Sequence, residues 1–458
     1  MAVEWAVARA RGPHTARHTR RAALRLGAGG LGLTVLAGIT GCRGEGTGGG
    51  QGTRALAVPR TVEYWHPWGG GVQLETTSRL LQRYQEQHAG VTVGTAVAPM
   101  VNGAPEKTLT ASAAGTPPDV GIFDRFVIAA FVAKDTFTVL TERAKQDGVG
   151  AGEYYPFSWN EASYRGKLYA LPFQTGIRGV FVNLGHLREA GLRPDQLPKT
   201  LTELDQLAAR LTQAGADSFS RVGFIPWIGN SHFYTWGWLF GGEFFDEQAQ
   251  RCSANHPKNV EALTWVGGYA QRLGDAPTRT FEASFGQTQG GAFGGGLVTF
   301  FHTTQALIDE LARTSPQLEY ETMPLPPAPG QNKTSSWAGG FGYFVPRGAK
   351  NPDAGWHLAR FLGGDEGELI WTQGTLTLPV RVGVARARYF QDRAQDKRFK
   401  VFLDLLPIAR SRPVTPVAQL MWDELNGSVD RVRKGAELPK DALDGVTQRV
   451  NLELAQYA

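Results

Sequence analysis

The chain has 458 residues, of which 42% are hydrophobic, so at about 150 residues per domain it is long enough for two or three packed domains. Its 58 glycines and 26 prolines are dispersed rather than periodic, which excludes a collagen-like chain and disorder over most of the length. The formal net charge is +5, and residues 1–41, with six arginines and one glutamate, account for all of it. The remainder is close to neutral, so a clustered basic surface for nucleic acid is not predicted.

The first segment has the composition of an export signal. Residues 19–25 (TRRAALR) precede a glycine-rich apolar run, residues 26–39, that is too short to span a membrane. An ordinary N-terminal helix is the alternative, but four glycines between residues 27 and 32 would each cost about 1 kcal/mol relative to alanine. The pair Arg20-Arg21 resembles a twin-arginine leader, and residues 39–42 (ITGC) resemble a bacterial lipobox. We therefore predict a signal peptide over residues 1–41, lipidation of Cys42 and a flexible tether over residues 42–57.

Strand and helix patterns alternate in the next segment. Thr61–Trp65 predicts a strand that ends in an aromatic turn, and helical spacing of apolar residues up to His88 precedes a second strand pattern at residues 91–97. A helix near residues 108–114 stops at GTPPDV, because two prolines force an extended chain. A third strand, Val120–Phe123, then runs directly into Asp124 and Arg125.

The rest of the chain is organised around Tyr164 to Leu192, which reads YRGKLYALPFQTGIRGVFVNLGHLREAGL. Two apolar extended segments, residues 168–173 and 180–182, precede a short helix that ends at Gly191. The order GKLYALPF, an arginine, an apolar pair before Asn183, and REAGL resembles the extracellular solute-binding proteins of ABC importers, in the branch that mostly takes carbohydrates. In that family this stretch leaves one lobe and enters the other beside the ligand cleft.

The resemblance continues in order over most of residues 58–458. It includes the capping box of Thr200 and Glu203, the GGEFFDE segment at residues 241–247, a return crossing at residues 335–346 (SSWAGGFGYFVP) and a helical tail over residues 417–456. It implies an α/β, two-lobed periplasmic-binding-protein-like fold, with a hinge between discontinuous lobes and a ligand cleft between them. Two crossings place one lobe at residues 58–176 and 335–390, and the other at residues 177–334 and 391–458.

Candidate ligand residues are the aromatic and polar residues, with one glycine, that the resemblance places near the cleft, since sugars offer hydroxyl groups for hydrogen bonds and flat faces for aromatic rings. They are Trp65, Trp68, Asp124, Arg125, Gln174, Arg178, Trp227, Trp236, His302, Trp337, Gly339 and Arg381. For each tryptophan and for His302 the alternative is ordinary burial, and for Arg381 it is a solvated surface charge. Five further tryptophans on helix-like segments are expected to pack the core: Trp159, Trp265, Trp356, Trp371 and Trp422.

A ligand cleft also suits an enzyme, which would be expected to carry a catalytic motif. The sequence has no GxSxG, HExxH or CxxC motif, and the glycine-rich residues 286–296 lack the Lys-Ser/Thr ending of a phosphate loop. No catalytic residue, cofactor or metal site is predicted. Cys252, the only other cysteine, is expected to be a small buried residue.

The prediction is an exported, monomeric, lipid-anchored protein on the periplasmic or extracellular face of the cell membrane. It would capture a mono- or oligosaccharide or a polyol, close around it, and be recognised by the membrane subunits of an ABC importer without making or breaking a bond. Three alternatives stay open. They are a binding protein for glycerol phosphate or another anionic solute, which convergence of Arg125 and Arg178 would favour; a secreted glycoside hydrolase using Asp124 with Glu243 or Asp246; and an adaptor that binds a protein.

Overall fold

Two groups of strands in the computed structural model meet on one strand of 14 residues, Ala170–Asn183. The structure describes residues 61–285 and 290–457, so the predictions for the signal peptide, Cys42 and the tether lie outside the described residues. Every residue of this strand except Gly176 is buried. A strand buried on both faces reads as a continuous apolar run instead of an alternating one, as the central stretch of the sequence does.

The described strands, numbered in chain order, are β1 (Thr61–His66), β2 (Thr92–Val97), β3 (Val120–Asp124), β4 (Ser163–Tyr164), β5 (Lys167–Leu168), β6 (Ala170–Asn183), β7 (Gln213–Ala214), β8 (Phe219–Phe224), β9 (Phe245–Asp246), β10 (Arg251–Cys252), β11 (Val298–Thr304), β12 (Tyr320–Met323) and β13 (Ala338–Phe344). The main sheet has the order β2-β1-β3-β13-β6-β11-β8-β7, and β12 also pairs with β6. The β1–β2, β1–β3 and β8–β11 pairs are parallel, whereas β6 is antiparallel to β11, β12 and β13.

The long strand β6 changes partners along its length. Its residues 170–177 pair with β13, and its residues 178–183 pair with β11 and β12, so the change falls between Ile177 and Arg178. Two separate extended segments were predicted here, and that detail was wrong, because the structure has one continuous strand with a bulge between the two segments. Gln174 has a φ of 50°, and the register against β13 shifts between Gly339 and Phe341.

The described α-helices are α1 (Gly71–Gln87), α2 (Glu106–Ala113), α3 (Ile128–Val132), α4 (Thr141–Gln146), α5 (Pro156–Glu161), α6 (Leu184–Glu189), α7 (Leu201–Leu211), α8 (Phe233–Leu239), α9 (Pro257–Leu273), α10 (Asp275–Ala283), α11 (Gly291–Gly294), α12 (Ala306–Thr314), α13 (Pro352–Leu362), α14 (Asp365–Thr375), α15 (Val382–Ala385), α16 (Arg388–Arg393), α17 (Lys397–Leu405), α18 (Ala418–Arg433) and α19 (Pro439–Leu454). Short 3-10 turns occupy Arg125–Val127, Ala151–Glu153, Leu406–Ile408 and Ala455–Tyr457. In the part of the chain that the structure describes, no helix combines the length and apolarity that a membrane span requires.

Local capping signals explain where several helices begin. The Thr200 hydroxyl accepts from the Glu203 N–H at 3.2 Å, as predicted, while the Glu203 carboxylate reaches one residue further back, to the Lys199 N–H at 2.7 Å. Asn351 precedes α13 as predicted, but it makes no side-chain cap. Its N–H and side-chain amide donate to Asp119 instead, at 2.8 and 3.3 Å.

Three buried hydrophobic clusters fill the described structure. The first combines residues 62–173 with 343–371 and Ala418, and the second combines residues 180–328 with Trp337 and residues 417–450. The third joins Phe181 and its neighbours to residues 378–406. Residues 378–390 were assigned to the first lobe, yet they share this cluster with Phe181, which was assigned to the second. The packing therefore does not decide the lobe boundaries, which stay predictions. Cys252 is buried within the second cluster, which raises its pKa to about 11, so the expectation of a small buried residue is confirmed.

Gly223 in β8 lies directly beneath α7, and its lack of a side chain is what permits that contact. A Cβ at this position would lie 2.0 Å from the Ala208 carbonyl oxygen of the helix. We expect Gly223→Ala to lower the free energy of unfolding by about 1–3 kcal/mol, measured by urea unfolding. Gly152→Ala is the matched control, because nothing lies within 4 Å of a Cβ there. Equal losses in the two variants would contradict this account.

Candidate ligand-binding site

The carboxyl end of β3 meets the crossing strand β6 through Arg125, which is wholly buried. Its Nη1 donates to the Phe341 carbonyl at 2.7 Å and to the Gln174 carbonyl at 3.4 Å, and its Nε lies 3.3 Å from Glu161 Oε2. These contacts join β3, β6, β13 and α5. Burial lowers the pKa of Arg125, and the Glu161 carboxylate opposes that shift. Arg125 is therefore a structural cross-link behind the junction of the strands.

Arg412 reaches the same junction from the loop before α18. Its Nη2 lies 2.9 Å from Asp124 Oδ1 and 3.3 Å from Glu161 Oε1. Its guanidinium also lies over three aromatic rings, those of Phe126 at 4.1 Å, Trp337 at 5.2 Å and Trp422 at 5.6 Å. Burial raises the pKa of Glu161, and the two neighbouring arginines Arg412 and Arg125 oppose that shift. A residue of the C-terminal region thus neutralises carboxylates supplied by β3 and α5.

Arg178 occupies the point at which β6 changes partners. Its Nη1 donates to the carbonyls of Gly176 at 2.6 Å and Trp337 at 3.3 Å, and its Nε donates to Asn230 Oδ1 at 3.0 Å. The guanidinium stacks on the Trp337 ring at 3.4 Å from the ring centroid. Burial and the neighbouring Arg412 lower the pKa of Arg178 to about 9.

An aromatic wall completes the junction. The His232 ring, at the start of α8, lies 4.1 Å from the half-buried Trp422 ring and 5.3 Å from that of Trp337. Burial, with Arg178 and Arg412 nearby, lowers the pKa of His232 to about 3, so the ring is neutral at physiological pH. Trp337 Nε1 is buried, and no described residue accepts a hydrogen bond from it. We call this group the central cluster: Asp124, Glu161, Arg178, His232, Trp337, Arg412 and Trp422.

The central cluster contains three of the twelve predicted ligand residues, Asp124, Arg178 and Trp337. Gly339 adjoins it, since a Cβ there would lie 3.1 Å from the Trp337 ring and 3.2 Å from Arg412 Nη2. Arg125 and Gln174 lie behind the cluster and are held by backbone contacts. Their roles as ligand contacts stay predictions.

The other predicted residues lie away from the central cluster or are engaged elsewhere. Trp68 packs at 5.5 Å from both Phe341 and Trp371, and Trp65 lies beneath Lys107 at 5.0 Å. The Trp227 Nε1 donates to Glu282 at 2.6 Å, and the guanidinium of Arg433 covers its ring.

Trp236, His302 and Arg381 are all buried. The Trp236 Nε1 donates to the Pro226 carbonyl at 2.8 Å. His302 Nδ1 lies 2.7 Å from Ser231 Oγ, and burial lowers the pKa of this histidine to about 3. Arg381 forms ion pairs with Glu153 and Asp365 and donates to Tyr154 Oη at 2.7 Å. As ligand contacts these three residues also stay predictions.

Sequence reasoning missed four members of the central cluster: Glu161, His232, Arg412 and Trp422. Trp422 was assigned to the core because it follows a helical pattern, and its ring does pack against both large hydrophobic clusters. Arg412 stands alone in a loop, where a solvated charge is the default interpretation. No local sequence signal distinguishes Arg412 from a solvated arginine, because its partners Asp124 and Glu161 lie far away along the chain.

A surface pocket adjoins the central cluster. Its volume is about 330 Å³, and its lining includes Arg412, Asn160, Trp238 and Glu243. A second pocket of about 700 Å³ shares Asn160, Glu247 and Val414 with the first, so the two form one groove. Across residues 61–285 and 290–457, no three His, Cys, Asp or Glu side chains are grouped so that they could hold a metal ion.

The two carboxylates that a glycoside hydrolase would pair with Asp124 are engaged elsewhere. Glu243 forms an ion pair with Arg410 at 2.6 Å on the rim of the groove. Asp246 Oδ1 accepts from the N–H groups of Gln248 and Ala249 at 3.0 and 2.9 Å, closing a local turn. The geometry therefore gives the hydrolase alternative no specific support.

Two sheet halves joined by a crossing strand, with a polar and aromatic cluster at the crossing, define a two-lobed binding protein. Residues 70–369 match the family of bacterial extracellular solute-binding proteins, and the chain belongs to that family. The family that the sequence resemblance predicted is thereby confirmed.

Individual relatives are distant. The sn-glycerol-3-phosphate-binding periplasmic protein UgpB of Salmonella typhimurium is 28% identical over 195 residues, which is 41% of this chain and 43% of that protein. The match thus spans less than half the length of this curated relative. Two similar solved structures are CpMnBP1 with mannobiose bound (TM-score 0.72, 23% identity, 85% and 99% of the two chains) and maltose-bound T. maritima MalE3 (TM-score 0.68, 21% identity, 86% and 100%). These structures confirm the two-lobed α/β fold.

Proposed function

We propose that the protein is the substrate-binding component of an ABC importer and captures a sugar, a short oligosaccharide or a polyol. The observation that carries this proposal is the central cluster, in which aromatic rings and hydrogen-bonding groups from distant segments converge where the strands cross. Such a combination suits a ligand with flat C–H faces and hydroxyl edges. The similar solved structures hold mannobiose and maltose, which supports the carbohydrate class.

We propose that the lobes are residues 58–176 with 335–390 and residues 177–334 with 391–458. The change of pairing partner after Ile177 supports the first boundary. Asp124 and Glu161 then belong to one lobe, and His232, Arg412 and Trp422 belong to the other. Closure of the hinge brings the two sets together around the ligand, and the closed form is what the importer's membrane subunits recognise. No covalent step is involved.

The location of the protein is a further part of the proposal. We propose that the protein is exported, lipidated on Cys42, held to the membrane by the tether at residues 42–57, and monomeric. The family is extracellular, and residues 39–42 resemble a lipobox, which supports this proposal. Radiolabelled palmitate incorporation that is lost in Cys42→Ala is the expected result. Retention of the label in Cys42→Ala would contradict lipidation at this residue.

A ligand screen tests the proposed function. Isothermal titration of the purified protein with mannobiose, maltose, glucose, glycerol, glycerol 3-phosphate and a short peptide is expected to give saturable binding within the sugar and polyol class. Trp422→Ala is expected to weaken that binding at least about tenfold, because a stacked ring contributes about 1 kcal/mol beyond its buried area. Trp265→Ala is the control, since Trp265 is also a half-buried helical tryptophan but donates to Asp205, outside the central cluster.

Each negative outcome has a distinct meaning. Binding of the peptide alone would replace the importer function with an adaptor function. Turnover of a chromogenic glycoside would favour the hydrolase alternative. Equal loss of affinity in Trp422→Ala and Trp265→Ala, with equal loss of stability, would remove the central cluster from the binding site.

A further inference from the structure

We infer that the captured solute carries an anionic group, a carboxylate or a phosphate, and that Arg178 binds it. This inference rests on the proposed function and specifies the ligand class of the same site. Its basis is a comparison of Arg178 with the other buried arginines of the described chain.

Among residues 61–285 and 290–457, five arginines are less than 9% exposed: Arg125, Arg178, Arg221, Arg381 and Arg412. Four of them have a carboxylate oxygen within 4.0 Å. Arg125 pairs with Glu161, Arg221 with Glu189, Arg381 with Glu153 and Asp365, and Arg412 with Asp124 and Glu161. Arg178 alone has no such partner among the described residues, although it is only 7% exposed. Since buried charges in proteins are normally paired, this guanidinium lacks a counter-charge.

The nearby carboxylates are already committed. Asp124 and Glu161 are the acidic groups that act on Arg178, and both are within ion-pair distance of Arg412. Glu161 is also shared with Arg125. Both carboxylates near Arg178 are therefore within ion-pair distance of other guanidiniums, and neither is within that distance of Arg178.

Arg178 also has a free face. Its Nε and Nη1 are occupied by neutral oxygen atoms of Asn230, Gly176 and Trp337. No described residue accepts a hydrogen bond from its Nη2. A guanidinium carries five N–H donors in a planar fork that matches carboxylate and phosphate oxygens. Stacking on Trp337 fixes the plane of that fork, so the remaining donors are held in one orientation for an anion.

The neighbouring rings do not change this charge balance near neutral pH. Burial lowers the pKa of His232 and of His302 to about 3, and electrostatic repulsion from the nearby Arg178 contributes to both shifts. Both rings are neutral above about pH 5, so neither contributes a charge near neutral pH.

Matched neutral and anionic ligands test the inference. Glucose is compared with gluconate and glucose 6-phosphate, and glycerol with glycerol 3-phosphate, by titration of the purified protein. We expect an anionic member to bind at least about thirtyfold more tightly than its neutral partner, with a dissociation constant that increases with added NaCl. The gluconate and phosphate arms separate a carboxylate site from a phosphate site.

Variants assign the effect to Arg178. Arg178→Gln is expected to remove the preference for the anionic member and to leave weak binding of the neutral one. Arg178→Lys, which keeps the charge but loses the fork, is expected to retain part of the preference. The control is Arg388→Gln, because the Arg388 side chain is 92% exposed and lies outside the central cluster. If Arg178→Gln does not fold, the wild-type ligand pairs and their salt dependence decide the question.

The two proposals fail in different ways. A neutral sugar that binds tightly, with charged analogues no better and Arg178→Gln unchanged, would overturn the anion inference and leave the proposed function intact. Absence of binding by every sugar, polyol and charged analogue would overturn the proposed function itself.

Discussion

Glu368→Ala is expected to lower the free energy of unfolding by at least about 3 kcal/mol, because three buried backbone N–H groups would lose their acceptor at about 1–3 kcal/mol each. The Glu368 side chain is wholly buried on α14. Its Oε1 accepts from the N–H groups of Gln174 at 3.1 Å and Val380 at 2.7 Å, and its Oε2 accepts from that of Arg381 at 3.1 Å. One carboxylate thus holds the bulge of β6 to the segment before α15.

The same helix provides the control for this loss. Glu366 is two residues away, its side chain is 45% exposed, and it pairs with Arg83 on the surface. Glu366→Ala is expected to cost about 0–1 kcal/mol, as exposed ion pairs do. Urea unfolding of both variants makes the comparison. Equal losses would show that the three hydrogen bonds of Glu368 contribute little.

The carboxyl of Glu368 also predicts a pH dependence. Burial raises its pKa from 4.5 to about 7, against the lowering effect of the three N–H donors. Between these two values the folded state keeps a proton that the unfolded chain has released. The stabilisation from this group is therefore complete below pH 4.5 and is lost as the pH rises through 7. The free energy of unfolding of the wild type minus that of Glu368→Gln is expected to decrease from pH 5 to 8, and a value independent of pH would contradict the shift.

Arg412→Met is expected to lower the free energy of unfolding by about 3–5 kcal/mol, because it removes one partner from a buried ion-pair network. Asp124 would lose its partner, Glu161 would keep only Arg125, and three aromatic rings would lose a cation. Under the proposed lobe assignment these contacts join the two lobes, so the closed form loses more than the open form. Ligand affinity is therefore expected to fall as well, by at least about tenfold.

Two measurements separate these effects. Urea unfolding gives the stability, and small-angle scattering with and without ligand reports whether the variant still closes. Arg388→Met is the control, since the Arg388 side chain is 92% exposed and its surface pair with Asp392 is 3.5 Å long. An Arg412→Met protein with unchanged affinity and unchanged compaction would contradict the role of Arg412 in closure.

The central cluster was only partly accessible from the sequence. Asp124, Arg178 and Trp337 were found because each lies next to a segment that resembles the family. Arg412 lies 288 residues from Asp124 along the chain and carries no local pattern of its own. Its role depends on a loop that returns beside Trp337, where the Arg410 N–H donates to the Ser336 carbonyl at 2.9 Å.

Burial was equally hard to assign. Trp236 and Trp422 both lie on helices, yet the first is 2% exposed among neighbouring rings and the second is half-buried in the central cluster. Periodicity gives the face of a helix that is covered, but it does not say whether a core or a ligand covers it.

The sequence by itself determined the order of the elements, the family and the position of the crossing, because turns, caps and apolar runs are local features. Thr200 begins α7, and Gly191, with a φ of 72°, follows α6 where the pattern placed it. Only the tertiary structure decided which charged side chains form pairs and whether β6 is continuous. It also showed that no carboxylate of the described residues pairs with Arg178. Pairing of charges and burial depend on contacts between residues far apart in the chain, and no local pattern encodes which of those contacts form.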